Sequence, residues 1–195
     1  TGIEFHRHHL LSGAWQWTDA PNPEPITMPS VDTTAAGSQA LGDTGNWGRF
    51  PTLDSTEGFA NYLSSFQTAF TRFNSQENFD VTQLPRKILV LGSNEFVWFP
   101  FLLAEWLETE SGKLNEDTAA TVNFSALTRS PIALGGAITT MLSFSDNYGL
   151  GMTNFAYNVE PSDWDLIVLC IETSADSVDA MWRGLDNVLV VSPSL

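Results

Sequence analysis

The apolar positions of this chain fall into two regimes. Over residues 1–53 they follow no period, and the stretch is broken by Pro21, Pro23, Pro25, Pro29 and Pro51 among many Thr, Ser and Gly. Trp15, Trp17 and Trp47 lie in the same stretch, and such large aromatic surfaces are expected to pin parts of it down by burial. From Asp54 onward the pattern turns regular. Phe59, Tyr62, Leu63, Phe66, Phe70 and Phe73 recur at helical spacing, which predicts a helix over 55–73 opened by an Asp54–Glu57 capping box. Ile88 to Leu91 form a short continuous apolar run followed by Gly92, the pattern of a strand buried on both faces. Phe99, Leu102, Leu103, Trp106 and Leu107 predict a second helix, with Pro100 tolerated in its first turn.

A strand around 120–126 and a short helix near 136–143 are expected next. "NFAYNV" (154–159) reads as a strand and "DLIVLCI" (165–171) as a second buried one. Val178, Met181, Trp182 and Leu185 predict a helix, and "NVLVV" (187–191) a last strand. Continuous apolar strands alternating with helices predict an α/β, Rossmann-like three-layer domain with a mostly parallel sheet. The expected organisation is an irregular arm or linker over 1–53, packed on an α/β domain over 54–195. No internal repeat is visible.

Charge narrows the partners. Eight basic residues stand against 23 acidic ones, a formal net charge of −15. Phosphate backbones and anionic membrane surfaces require clustered Lys and Arg, so neither nucleic acid nor membrane is the expected partner. A small anionic ligand needs only one local cation and stays open. No run of eighteen apolar residues marks a membrane span. No basic stretch followed by an apolar segment marks a signal peptide. The chain begins at Thr1, consistent with a part of a longer protein. The single cysteine, Cys170, excludes an internal disulfide and reads as a buried, inert thiol.

Ligands of open parallel sheets sit at the carboxyl ends of the strands, so the residues after each predicted strand are the candidates. These are Ser93, Asn94 and Glu95 after the first, Thr128, Arg129, Ser130 and Pro131 after the second, and Glu172 after the third. The loop "FSDNYG" adds Asp146, Asn147 and Tyr148. Arg129 supplies a permanent planar donor fork for phosphate or carboxylate, and Thr128 and Ser130 add hydroxyls. Gly135 and Gly136 precede the predicted helix near 136–143, whose free N–H groups favour an anion. The competing reading is a proline turn with Arg129 paired to an acidic neighbour. Glu95 reads equally as a ligand for hydroxyls or metal and as a cap for the following helix; Glu172 is ambiguous in the same way, and Asp146 and Asn147 are ordinary turn formers.

Other motifs exclude themselves. "HRHH" (6–9) lacks a further ligand nearby, so no metal site is expected there. "VDTTAAG" (31–37) has the outline of a loop that binds phosphoribosyl pyrophosphate, but lacks the preceding apolar strand and paired acids. No Walker loop, nucleophile elbow or HExxH motif is present.

Taken in order, "ILVLGSNEFVWFPFLLAEWLE", "ALTRSPI", "FSDNYGLGMTNFAYNV" and "LIVLCIET" resemble the TRSP domain, named for the Thr-Arg-Ser-Pro motif that is Thr128 to Pro131 here. "WGRFP" (47–51) resembles an early Gly-Arg motif of that family. The resemblance implies a domain C-terminal to an orotate-type phosphoribosyltransferase domain, in bacterial gene clusters associated with tellurite resistance and stress response. Those clusters are proposed to make a nucleoside-like metabolite. It further implies that Glu95, Thr128, Arg129, Ser130, Asp146, Asn147, Tyr148, Asn154, Asn158 and Glu172 share one site.

Two functions follow. In the first, the domain binds, or transforms, a phosphoribosylated or nucleoside-like compound, with Arg129 on the phosphate and Glu95 or Asp146 on hydroxyls or on a phosphate-bridging Mg2+. A carboxylate among Glu95, Asp146 and Glu172 would be the general base if chemistry occurs. In the alternative, the domain is a non-catalytic docking module for the phosphoribosyltransferase domain, in the same or a neighbouring chain, or for another pathway protein. A weaker third reading is an independent hydrolase. The transferase signature itself is absent from this chain.

Overall fold

A computed structural model describes residues 9–18, 48–49, 55–114 and 119–193. His6, Arg7, His8, the 31–37 segment, Trp47 and the Asp54–Glu57 capping box lie outside what it describes. Residues 9–18 form neither helix nor strand. Trp15 and Trp17 are 85% and 75% exposed, so they are not pinned by burial as expected.

Three α-helices and six strands are described, besides short 3-10 turns: α1 Ser55–Phe73, β1 Lys87–Gly92, α2 Trp98–Gly112, β2 Thr121–Ala126, β3 Met141–Ser145, β4 Thr153–Tyr157, β5 Leu166–Cys170, α3 Ala180–Arg183 and β6 Val188–Val191. Strands β2, β1, β5 and β6 lie side by side in that order, all parallel. Strands β3 and β4 form a separate antiparallel hairpin, with Leu142 opposite Ala156 and Phe144 opposite Asn154. The mostly parallel α/β sheet is therefore the one expected.

Strand alternation divides the core. Ile88, Val90, Leu166, Val168, Cys170, Leu189 and Val191 face one side, where they pack with α1 and α2. Leu89, Leu91, Ile167, Leu169 and Val188 face the other, where Phe144 and Ala156 of the hairpin and Trp182 of α3 cover them. That two-sided cover is why β1 and β5 read as unbroken apolar runs. The stripe of α1 is seated through Tyr62, Phe66 and Phe70. Phe66 and Phe70 are essentially inaccessible to water, and each contributes roughly 1.5–3 kcal/mol by burial. The Tyr62 hydroxyl donates toward the carbonyls of Ile171 (3.2 Å) and Val191 (2.9 Å), tying α1 to the carboxyl ends of β5 and β6.

The helix expected near 136–143 is absent. Gly135 and Ile138 close a tight turn, with Gly135 at φ +146° and Gly136 at φ +57°, and the chain then enters β3. Thr139 and Thr140 are β-branched and disfavour helix. Leu142, Ser143, Phe144 and Ser145 alternate apolar and polar, and pairing with β4 decides the strand.

Candidate functional site

The sheet contains a topological switch point. From β1 the chain crosses by α2 to β2, and from β5 it crosses by α3 to β6 on the other side. The two helices lie on opposite faces of the sheet. The loops leaving β1 and β5 therefore part, and a crevice opens between their carboxyl ends, the place where such sheets hold ligands.

Tyr148, from the β3–β4 loop, fills the floor of that crevice. Its hydroxyl lies 2.8 Å from Glu172 Oε1, after β5, and 3.2 Å from the Ser93 carbonyl, after β1, and it donates toward both. The Ser93 hydroxyl donates to Asn147 Oδ1 (2.9 Å), and Asn147 Nδ2 donates to the Thr173 hydroxyl (2.7 Å). Burial pushes the Tyr148 phenol well above its ordinary value, with Glu172 adding to the shift, so it stays a neutral donor. Glu172 is itself buried and receives Arg49: Nε donates to its two oxygens at 3.0 and 3.1 Å, and Nη2 to Oε1 at 2.5 Å. That hydrogen bonding, foremost, raises the Arg49 guanidinium above its already high ordinary value.

Above Tyr148 lies an open cleft of 270 Å³ lined by Arg49, Glu95, Arg129, Tyr148 and Leu150. Arg129 Nη2 bonds to Glu95, and its Nη1 contacts Met152 Sδ at 3.7 Å. The two ion pairs differ in kind. The side chains of Arg129 and Glu95 are 31% and 55% exposed, whereas those of Arg49 and Glu172 are 27% and 2%. An exposed pair exchanges partners readily; a buried one does not. At the cleft, Arg129 is therefore the more loosely held cation and Arg49 the more tightly held one.

The sequence candidates separate into groups. Glu95, Arg129 and Tyr148 line the cleft. Ser93, Asn147 and Glu172 form the buried polar layer beneath it. Asp146 serves its own loop: Oδ1 accepts from the N–H groups of Tyr148 and Leu150, and Oδ2 from Met152. With three backbone donors and little exposure it organises its own turn, and it is not among the residues that line the cleft. Asn158, at φ +54°, accepts from the Thr139 and Thr140 N–H groups and donates to the Ala137 carbonyl, stitching the turn before β3. The Thr128 hydroxyl accepts from the Ser130 N–H, and the Ser130 carbonyl accepts from the Tyr157 hydroxyl. Asn154 is fully buried opposite Phe144, and neither its side-chain oxygen nor its nitrogen has a hydrogen-bond partner. The amide atoms of Asn94, at φ +54°, are likewise buried and unpartnered.

Two expectations are corrected. The anion cradle was to include a helix N-terminus after Gly135 and Gly136, but a turn and a strand stand there, so the cationic character comes from arginines alone. Glu95 does not cap α2. The N-cap position is Val97, without a side-chain bond, and Glu95 turns to Arg129 instead. Among the described residues no group of three His, Cys, Asp or Glu side chains is placed to hold a metal ion.

A family model described as "TRSP domain C terminus to PRTase_2" matches residues 54–189, more than half of the chain. The chain belongs to the TRSP family. No curated protein and no solved structure matches it. The Thr-Arg-Ser-Pro motif of this TRSP domain occupies the loop after β2, and Thr128 pairs with Phe155 of the hairpin by mutual N–H···O bonds of 3.0 and 2.7 Å.

Arg49 is the site residue that strand-end reasoning missed, because it precedes every predicted element and the family match as well. Its signal was the Gly-Arg pair of residues 48–49. The glycine has a steric reason: a Cβ on Gly48 would stand 1.9 Å from a Phe96 ring carbon. The Gly48 carbonyl accepts from the N–H groups of Trp98 (2.7 Å) and Phe99 (3.2 Å), two of the free donors that open α2.

Proposed function

We propose that this TRSP domain binds a small phosphorylated metabolite, a ribose phosphate or nucleoside-like compound supplied by an associated phosphoribosyltransferase domain. The observation that carries the reading is the convergence of Arg49 and Arg129 on one cleft over the sheet's switch point. A guanidinium fork suits phosphate oxygens. At 270 Å³ the cleft suits a sugar phosphate better than a dinucleotide. Arg129 exchanges Glu95 for the phosphate, and the freed Glu95 carboxylate accepts from ribose hydroxyls or meets a magnesium ion arriving with the ligand. The setting we read for it, by family resemblance, is the bacterial cytoplasm and a tellurite-resistance-associated stress response.

The side chains at the cleft favour binding over catalysis. Tyr148 is held neutral and Glu172 is engaged by Arg49. Glu95 is the carboxylate with solvent access, and the residue to test should turnover be found. Thermal unfolding of the chain against phosphoribosyl pyrophosphate, ribose 5-phosphate, nucleotides and nucleosides, with and without magnesium, tests this. A ligand at a hundredfold excess over its Kd adds about 2.7 kcal/mol to stability. A stabilisation lost in Arg129→Ala supports the site; no stabilisation by any compound refutes it.

A docking role is favoured by a different observation. Phe101 and Phe124 are 44% and 37% exposed, pack edge-to-face at 5.8 Å, and continue into Trp98, which stacks on Phe101. Phe124 lies on β2, an edge strand of the sheet among the described residues, and Phe101 and Trp98 lie on α2. This aromatic strip is the surface we assign to the phosphoribosyltransferase domain, and Phe124→Ser would weaken that association without altering ligand binding.

A further inference from the structure

Arg49 reaches the cleft from outside the matched TRSP residues, and residues 48–49 are seated by contacts to α2, Phe96 and Glu172. Those described are the Gly48 carbonyl on the amides of Trp98 and Phe99, the close fit of Gly48 against the Phe96 ring, and the Arg49–Glu172 pair. The Phe96 ring cannot yield easily, because it is buried against Tyr62 (5.2 Å) and Phe99 (6.1 Å). A side chain at position 48 would therefore oppose the seating. When the segment is seated, Glu172 has its counter-charge and the cleft has two guanidinium groups. When it is not, Glu172 is left with the Tyr148 hydroxyl, and the cleft keeps Arg129, already neutralised by Glu95.

We infer that residues 48–49 are a strap whose seating completes an oxyanion site, so that strap docking and oxyanion binding are linked equilibria. The inference rests on the anion-site reading above and extends it. Arg49 lines the cleft, and its bonds to Glu172 use Nε and Nη2, which leaves Nη1 without a described partner. An oxyanion held between Arg129 and this remaining edge adds a contact that the unseated state cannot offer. By linkage the anion then stabilises the seated strap by the same factor as the strap strengthens the anion's binding. The ligand class this selects is one with two neighbouring anionic oxygens presented to two forks, a phosphate ester or a diphosphate, in preference to a neutral nucleoside.

The test uses the whole chain and inorganic pyrophosphate. Hydrogen exchange at the Trp98 and Phe99 amides reads the strap directly, since both donate to Gly48. Calorimetric titration reads the site. Pyrophosphate is expected to slow exchange at those two amides in the native chain. Gly48→Ala and Arg49→Gln are each expected to speed it, and to weaken pyrophosphate at least about tenfold, as loss of a charge-assisted contact does. Core amides of Leu89 and Val168 serve as the folding control and stay protected in Gly48→Ala. Binding to the native chain that is unchanged in both variants overturns the linkage and leaves the Arg129 site standing. Weaker binding in the variants, with no slowing of Trp98 and Phe99 in the native chain, also overturns it, because the strap then acts only on structure. No pyrophosphate binding to the native chain overturns the linkage and the anion-site reading together.

Discussion

Glu172 and Arg49, 123 residues apart in the chain, meet as a two-point ion pair in which Arg49 Nε contacts both carboxylate oxygens and Nη2 one of them. The pair joins the cleft-lining Arg49 to the buried carboxylate after β5, and Tyr148 links that carboxylate to Ser93. Removing the arginine leaves a carboxylate buried without its counter-charge. Arg49→Leu is expected to cost about 3 kcal/mol, the lower end for breaking a buried pair, because the Arg49 side chain remains 27% exposed. Adding Glu172→Gln should return part of that loss. Urea unfolding of the single and double variants checks both, and a double variant no more stable than Arg49→Leu would contradict the account.

Arg129 presents the opposite case. Its bond with Glu95 is exposed, so Arg129→Ala is expected to change unfolding stability by less than about 1 kcal/mol. The same substitution should abolish stabilisation by phosphorylated ligands. A variant that binds as well as the native chain would remove Arg129 from the site.

Asp179 links stability to pH. Its Oδ1 accepts from the Met181 N–H at the start of α3, and its Oδ2 from the Ser145 N–H at the end of β3, both at 2.8 Å. The Met181 bond, foremost, holds its carboxyl below the ordinary value. A carboxyl depressed in the folded state stabilises fully above its unfolded value of about 3.9, and loses that contribution as pH falls through the folded one. Asp179→Ala is expected to cost about 1 kcal/mol near neutrality, as loss of a helix cap does. It should also flatten the decline in stability below about pH 4, measurable by urea unfolding at a series of pH values.

Cys170 is buried, and burial pushes its thiol up to about 12. At mildly alkaline pH the folded chain is expected to resist thiol reagents, with labelling that follows global unfolding. Fast labelling of the folded chain would show that β5 opens locally.

Much of this architecture is written in local patterns. Ile88–Leu91 and Leu166–Cys170 are apolar without interruption because both faces of the sheet are covered. The stripe through Tyr62, Phe66 and Phe70 marks the buried side of α1. What local pattern cannot express is pairing at a distance. The helix expected near 136–143 gives way to a turn and a strand, and pairing with Thr153–Tyr157 decides that outcome. The site divides in the same way. Strand-end position located Glu95, Arg129 and Glu172, because parallel strands bring their carboxyl ends together. Asp146 reads as an ordinary turn former and Asn158 enters only through the family resemblance, and the polar atoms of both are engaged by nearby backbone. Arg49 was concealed in a proline-rich stretch where no periodicity points to a sheet edge.

The two backbone bonds between Thr128 and Phe155 bear on the energetics of recognition. They fix the residue immediately before Arg129 to the hairpin, and the Tyr157 hydroxyl holds the Ser130 carbonyl immediately after it. A free loop would lose its conformational freedom when the ligand arrives, and that loss would weaken binding. Here the backbone on both sides of the arginine gave up that freedom when the chain folded. A ligand that engaged Arg129 would have mainly the side chain left to order, which lowers the conformational cost of holding something small.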